Sequence, residues 1–116
     1  MSVGMSQVPV NIYSADGKLV VAALMPALQP EDITVEVRAD GGLTIRAELR
    51  GRLKDWKDVH QEEWQAGGYS RDLELPMPVD GGAGYATYEN GVLVATFPQS
   101  DAARPGQFSP RPGQGR

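Results

Sequence analysis

The chain has 116 residues, with 11 lysines and arginines against 15 aspartates and glutamates, which gives a net charge of -4. A chain of this length forms one domain with one core. Its excess of acidic residues argues against nucleic acid as a partner. The lack of cysteine excludes disulfides, thiol nucleophiles and cysteine-bound zinc. The longest apolar run, residues 19–25, is too short to span a bilayer, and residues 1–10 lack the features of a secretory signal, so we expect a soluble, cytoplasmic protein with no membrane partner.

The first half of the chain predicts an antiparallel meander of short strands. Residues 1–9 form a short, loose arm. The segments after it alternate apolar and polar residues or are rich in β-branched residues, and Pro, Asp-Gly or Gly-Gly bounds them, as is typical of strands. The predicted strands are residues 10–13, 19–25, 33–38 and 43–47.

A charged segment, residues 49–66, interrupts this pattern. Its large apolar residues are irregularly spaced, which predicts a loop rather than a strand or helix. Structureless loops of this length are uncommon in compact domains unless they have a function. The alternation resumes at residues 69–75 and ends at Pro76.

The segment ATYENGVLVATFP, residues 86–98, predicts a β-hairpin. Asn90-Gly91 is the strongest short signal for a two-residue turn. This turn places Tyr88 opposite Leu93 on an apolar inner face. Val92 and Val94 then lie on the outer face, where they reflect either β-propensity and a second packing layer or a surface that accepts another chain.

The tail, residues 100–116, is rich in proline and glycine, so we expect it to be disordered. The rest of the chain, residues 10–99, predicts seven or eight short strands with tight turns and no amphipathic helix. The predicted fold is therefore all-β, an immunoglobulin-like antiparallel β-sandwich with one long loop.

The sequence shows no residues typical of an enzyme. The single histidine, His60, lies in the charged loop among Asp55, Asp58, Glu62 and Glu63, without a recognised metal-ligand spacing. No serine stands in a nucleophile-elbow pattern. We expect no catalytic residue, no cofactor and no metal, and a hydrolase or metal enzyme around His60 ranks last among the alternatives.

Four segments together resemble the small heat shock proteins, the Hsp20 or α-crystallin-domain family. They are LVVAALMPALQPEDITVEV, GLTIRAE, GGYSRDLELP and ATYENGVLVATFPQ, in the order of the family, and they cover most of residues 10–99. The resemblance implies an α-crystallin domain and an ATP-independent holdase of the stress response. Such a chaperone binds partly unfolded client proteins and suppresses their aggregation.

The resemblance also implies a dimer in which the charged loop carries a strand to the neighbouring subunit. That strand corresponds to residues 56–61, with Trp56 and Val59 as its candidate anchors. Arg71 matches the family arginine after the loop, and Glu63 falls where relatives often have an acid. The simpler interpretation of Arg71 is an exposed arginine on a strand.

The family groove that accepts an Ile-x-Ile/Val motif from another subunit's tail corresponds here to Val35, Val37, Tyr85 and Thr87. The present tail has no such motif, and the arm is short. We therefore expect a dimer rather than a large cage. Longer members of the family are a further possible partner, through co-assembly. The alternative is a monomeric, co-chaperone-like β-sandwich that binds one folded protein.

Overall fold

Two β-sheets pack face to face in the computed structural model, which describes residues 6–48, 60–61 and 68–112. The strands of these ranges are β1 Ser6–Gln7, β2 Val10–Ala15, β3 Lys18–Leu24, β4 Ile33–Val37, β5 Gly42–Glu48, β6 Gly68–Glu74, β7 Tyr85–Glu89, β8 Val92–Pro98, β9 Gly106–Phe108 and β10 Arg111–Pro112. Single 3₁₀ turns lie at Pro30–Asp32 and Gly81–Ala83. The all-β sandwich expected from the sequence is confirmed.

The first sheet has the order β1-β6-β5-β4-β9, and the second sheet has the order β10-β7-β8-β3-β2. All pairings are antiparallel except β1 with β6 and β10 with β7. Pairing of β3 with β8 brings strands from distant parts of the chain together. The predicted meander is therefore wrong between β3 and β4, which lie in different sheets.

The crossover from β3 to β4 follows from the residues that end β3. Pro26 cannot donate a ladder hydrogen bond, and Ala27 has a positive φ of 71°, which turns the chain toward the other sheet. The hydroxyl of Tyr88 donates to the carbonyl of Met25 and accepts from the amide of Leu28 at 3.2 Å. A single side chain on β7 thus holds the first half of the crossover, from Met25 to Leu28.

Alternation along the strands produces the core between the sheets. β4 and β8 are buried at every second residue, and Val35, Leu93 and Phe97 are fully buried. Burying such a side chain contributes about 1.5–3 kcal/mol. The opposite faces of the same strands are left for solvent or for partners.

The hairpin between β7 and β8 forms as the sequence predicts. Asn90 and Gly91 have φ values of 55° and 81°, the left-handed pair that a two-residue hairpin turn requires. Tyr88 pairs with Leu93, the predicted register.

The prediction of a disordered tail is wrong for residues 100–112. β9 adds to β4, and β10 adds to β7. The prediction rested on composition, because a segment rich in proline and glycine has few apolar side chains to bury. A short extended segment can nevertheless be ordered when its backbone pairs with an open sheet edge. Residues 113–116 lie outside the described residues.

Most of the predicted dimerisation loop also lies outside the described residues, including Trp56, Val59 and Glu63. Within the ranges that the structure describes, no helix is long and apolar enough to cross a membrane.

Candidate functional site

Two sheet edges meet on one rim of the sandwich, and the chain's own tail covers both. We call residues 104–112 the strap. Its β9 pairs antiparallel with β4 in the first sheet, and its β10 pairs parallel with β7 in the second sheet. Without the strap, β4 and β7 would be the outer strands on this side. Buried Pro110 lies between the two strap strands. The space along this rim between β4 and β7 is the groove.

The upstream end of the strap is held by backbone hydrogen bonds. The amide of Gly81 donates to the carbonyl of Arg104 at 2.7 Å, and the amide of Arg104 donates to the carbonyl of Val79 at 3.1 Å. The guanidinium of Arg104 lies 3.9 Å from the carboxylate of Asp80, but both are partly exposed, so this ion pair adds little. The backbone contacts therefore fix where the strap begins.

Beyond this anchor, the backbones of Gly81 and Gly106 approach too closely for any side chain. A Cβ on Gly106 would lie 2.3 Å from the carbonyl carbon and oxygen of Gly81. A Cβ on Gly81 would lie 2.6 Å from Cβ of Val37 and 2.8 Å from the carbonyl oxygen of Arg104. Glycine at both positions is what allows the strap to enter the groove.

Phe108 is the apolar side chain that fills the groove. It pairs with Val35, so its ring points to the core side of the first sheet. The ring lies 5.9 Å from that of Phe97, tilted by 46°, which is a favourable aromatic arrangement. A Cβ on Gly84 would lie 2.5 Å from the Phe97 ring and 3.0 Å from the Phe108 ring. The bare backbone of Gly84 thus leaves the room that the two rings use.

The predicted groove residues do not share one surface. Val35 and Val37 point into the core and are buried, whereas Tyr85 and Thr87 point outward from the second sheet and are exposed. The backbones of β4 and β7 pair with the strap on the two sides of the groove. The sequence interpretation missed Phe108 and its glycines, although Phe108 is the only large apolar residue of the tail, with a glycine two positions before it.

Arg71, predicted at the dimer seam, makes a contact within the chain. Its guanidinium donates to the carbonyl of Val8 at 2.7 Å, and its half-buried side chain is on β6, which lies between β1 and β5 in the first sheet. This bond ties the segment before β2 to the first sheet. A role of Arg71 in a dimer stays a prediction.

The second sheet presents an apolar outer face. The outward-facing residues of its long strands, in the aligned register, are mostly small, β-branched or aromatic. Tyr13, Leu24 and Tyr85 are about half exposed, at 55%, 54% and 53%. We define the outer face by Tyr13, Val20, Ala22, Leu24, Tyr85, Thr87, Val92, Val94 and Thr96. The polar side chains Asn11, Lys18 and Glu89 are on the same side of this sheet.

The first sheet has a different outer face, which carries ion pairs. Arg38 lies 2.9 Å from Asp72 and 3.3 Å from Asp40. A hydrogen bond from the amide of Gly42, opposed by a smaller desolvation effect, lowers the pKa of Asp40, and Arg38 also favours its charged form. The two exposed sides of the sandwich therefore differ, one being charged and the other apolar.

The strand β2 ends the second sheet on the side away from the groove. In the part of the chain that the structure describes, β2 pairs with β3 and with no other strand. Its outer edge therefore has backbone groups available for another strand.

Residues 6–48, 60–61 and 68–112 contain no group of three or more side chains arranged to hold a metal. His60 is exposed, and the acidic residues nearest to it in sequence, Asp58 and Glu62, lie outside the described residues.

Comparison with known proteins gives one consistent answer. The model of the Hsp20/alpha crystallin family matches residues 11–109. The 17.6 kDa class I heat shock protein 1 of Arabidopsis thaliana is 35% identical over 81 residues, which cover 69% of this chain and 52% of that protein. The chain spans about half the length of the first curated relatives it matches.

Solved structures show the same similarity. The hspA structure from Xanthomonas axonopodis is 27% identical, with a TM-score of 0.68, and the alignment covers 84% of this chain and 98% of that one. Heat shock protein 16.0 from Schizosaccharomyces pombe has a TM-score of 0.70 at 23% identity, covering 86% of this chain and 71% of that one. The second likeness shows the fold alone.

Proposed function

The chain belongs to the Hsp20/alpha crystallin family, and we propose that it is an ATP-independent holdase that acts as a dimer. Membership in the small heat shock protein family supports a chaperone role. The apolar outer face supports the more specific proposal, that this chain holds partly unfolded proteins and keeps them from aggregating.

The outer face is the observation that carries the proposal. It combines three half-exposed large side chains, Tyr13, Leu24 and Tyr85, with partly buried Val92 and Val94 on the same side of the sheet, where Val92 pairs with Leu24. An exposed apolar surface of this kind is typical of a site that binds other chains. Partly unfolded clients expose apolar segments of many sequences, so a broad surface without a shaped pocket suits them.

Holding a client requires no chemistry. A chaperone that binds the aggregation-prone form lowers its free concentration by mass action. Aggregation depends steeply on that concentration, so modest affinity slows it. Strand edges add backbone hydrogen bonds, which are independent of the client's sequence.

Strand β2 supports the dimer. Its outer edge is open among the described residues, and a strand from residues 56–61 of a second copy would satisfy its backbone groups by strand addition. Trp56 and Val59 are the side chains proposed to anchor that strand, and Glu63 is proposed to lie near Arg71 at the seam.

The holdase is tested by light scattering, without ATP, from a client protein that aggregates when its disulfide bonds are reduced. Equimolar protein should suppress the scattering. Val94→Glu, which places a charge on the outer face, should weaken suppression. Thr34→Glu places the same charge at a half-buried position on the outer side of the first sheet and should leave suppression unchanged. Undiminished aggregation with the unmodified protein rejects the holdase.

Sedimentation tests the dimer separately. A dimer has twice the chain mass of 12.5 kDa. Trp56→Ala should shift the protein toward the monomer because it removes a proposed anchor. A monomer at micromolar concentration in the unmodified protein contradicts the dimer and favours the co-chaperone-like alternative.

A further inference from the structure

We propose that the outer face recognises an amphipathic helix of a client protein, with the helix axis along β3 and β8. We call the strip of the outer face over these two strands, between Tyr13 and Tyr85, the channel. The inference rests on the proposed function for the identity of the ligand, since it names the kind of client segment that the holdase binds. The fit itself depends only on the shape and the charges of the second sheet.

Two tyrosines form the walls of the channel. One row across the sheet pairs Tyr85, Thr96, Val20 and Tyr13, so the tyrosines stand at its two ends. Both tyrosines are about half exposed, whereas the two residues between them are partly buried. Three interstrand spacings, about 14 Å in all, separate β7 from β2. An α-helix with its side chains is about 10–12 Å wide, so one helix fits between the two rings.

The wall on β2 is positioned by a hydrogen bond. The side-chain amide of Asn11 donates to the hydroxyl of Tyr13 at 3.0 Å. Both residues are on the same strand and the same face, so the bond keeps the ring along the edge of the sheet and away from its centre. The channel is therefore open before a ligand arrives.

Small and β-branched side chains form the floor of the channel. Ala22 is the smallest outward-facing residue of β3, and it pairs with Val94 on β8. A depression of about 290 Å³ lies here, with Asn11, Leu24 and Val92 among its lining residues. This space accepts one large apolar side chain, such as leucine or phenylalanine, from a ligand that lies in the channel.

The channel has the length of an ordinary helix. The seven residues of β3 extend about 20 Å. A helix of this length has about 13 residues, which is close to the average of about 11–12 residues in globular proteins. The expected ligand is therefore a helix of three to four turns.

The charges at the two ends give the helix a direction. Lys18 faces outward where the channel begins, beside Pro98. Glu89 faces outward at the opposite end, where its partner Val92 pairs with Leu24. Because the C-terminal end of a helix is negative and its N-terminal end is positive, we expect the C-terminal end at Lys18 and the N-terminal end at Glu89.

A helix suits this face better than a second sheet does. An apolar sheet face is covered in folded domains by helices or by another sheet. Two sheets pack about 10 Å apart over flat faces, and the tyrosines raised at both margins hold a flat sheet away from the floor. A cylinder enters between them. Partly unfolded clients supply such helices, since compact denatured states retain secondary structure while their apolar surface is exposed.

Three peptides test the preference for a helix. The probe is a fluorescein-labelled peptide of about 13 residues, made of leucine, alanine and glutamine, with leucines at i, i+3, i+4 and i+7 and a hydrocarbon staple on the polar face. One control has the same staple and composition without a leucine stripe. The other is unstapled, with leucines at alternate positions as in a strand. Fluorescence anisotropy with the full-length protein should show at least about tenfold tighter binding of the probe. Equal affinities, or no binding of the probe, overturn the proposal.

Ala22→Ile distinguishes a shaped channel from a merely apolar surface. The larger side chain makes the face more apolar, but it fills the depression, and it suits a strand. The affinity for the probe should fall about tenfold, because overpacking at the contact opposes binding. Thr34→Ile, on the outer side of the first sheet, is the matched control and should leave the affinity unchanged. An affinity of Ala22→Ile equal to or above that of the unmodified protein overturns the channel.

Charged peptides test the direction of the helix. Two versions of the probe carry the same stripe, one with lysines in the first turn and glutamates in the last turn, the other with these charges exchanged. The first version places glutamates beside Lys18 and lysines beside Glu89, so at low salt it should bind about twofold to tenfold more tightly. The Lys18→Glu, Glu89→Lys double variant should reverse the preference. Equal binding of the two versions overturns the assigned direction.

Failure of the channel and failure of the holdase are distinguishable. Binding of the probe as described, together with undiminished client aggregation, retains the helix site and rejects the holdase. Suppressed aggregation without binding of the probe retains the holdase and rejects the helix site. Sedimentation of Val94→Glu tests a second copy of the chain as the occupant. Loss of a dimer in this variant overturns the proposal, because the channel would then be filled by the partner.

Discussion

A single methyl group on Gly81 should detach the strap from the sandwich. The Cβ of Gly81→Ala would lie 2.6 Å from Cβ of Val37, 2.8 Å from the carbonyl oxygen of Arg104 and 2.8 Å from the amide nitrogen of Gly106. Two of these three atoms are backbone, so relief requires that the strap moves away. Overpacking of this kind costs about 1–3 kcal/mol.

Gly82 is a matched control because it neighbours Gly81 in the same 3₁₀ turn. The nearest atoms to its Cβ would be 3.4 Å and 3.9 Å away. Both glycines have φ outside the left-handed region, and both substitutions reduce the freedom of the unfolded chain by the same amount, about 0.4–1 kcal/mol in favour of folding. The difference between the variants therefore isolates the clash.

Thermal unfolding followed by circular dichroism measures this difference. The cost of about 1–3 kcal/mol corresponds to a Tm for Gly81→Ala about 4–12 °C below that of Gly82→Ala in a domain of this size. Gly81→Ala should also become susceptible to proteolysis between Arg104 and Arg111. Tm values within about 2 °C of each other would refute the reasoning, because the glycine contact would then carry no energy.

Three further predictions concern single side chains. Tyr88→Phe removes the hydroxyl that holds the crossover. Denaturant titration should show a free energy of unfolding about 1–3 kcal/mol lower than that of the unmodified protein. Tyr85→Phe, at an exposed position, is the control and should leave this free energy unchanged. Burial raises the pKa of Tyr88 above 10.0, so folding favours the protonated hydroxyl. The resulting stabilisation is present below pH 10.0 and is lost as the pH rises through the pKa of the folded protein. The free energy of unfolding, measured against pH, should therefore fall less steeply at alkaline pH in Tyr88→Phe than in the unmodified protein. Arg71→Met retains the apolar stem but removes the bond to the carbonyl of Val8; hydrogen exchange should show faster opening before β2, and unchanged exchange there would contradict the assignment.

The parts of the fold that the sequence predicts are those with local causes. Alternation in β4 and β8 depends on adjacent residues, and the Asn90-Gly91 turn fixes the pairing of its own two strands. The crossover after Pro26 is different, because the partner of β3 is β8, whose paired residues lie 68 to 80 positions later in the chain. Local pattern does not distinguish that partner from the next strand.

The strap was missed for a related reason. Its composition is that of a disordered segment, and its pairing depends on a rim made by residues far away in sequence. Gly81, Gly84 and Gly106 look like loop glycines until the structure brings them to the same strap. The predicted groove residues lie on β4 and β7, and those on β7, Tyr85 and Thr87, point outward.

The two rims of the sandwich therefore differ in whether their strand edges are covered. The rim at β4 and β7 is closed by the chain's own strap, whereas the outer edge of β2 is open in the described part of the chain. A closed rim resists uncontrolled strand addition, and an open one permits dimerisation. If the proposed dimer forms, a change at Gly81 detaches the strap without altering the dimer, and Trp56→Ala alters the dimer without altering proteolysis of the strap. Coupled changes in the two measurements would show that the rims do not act independently.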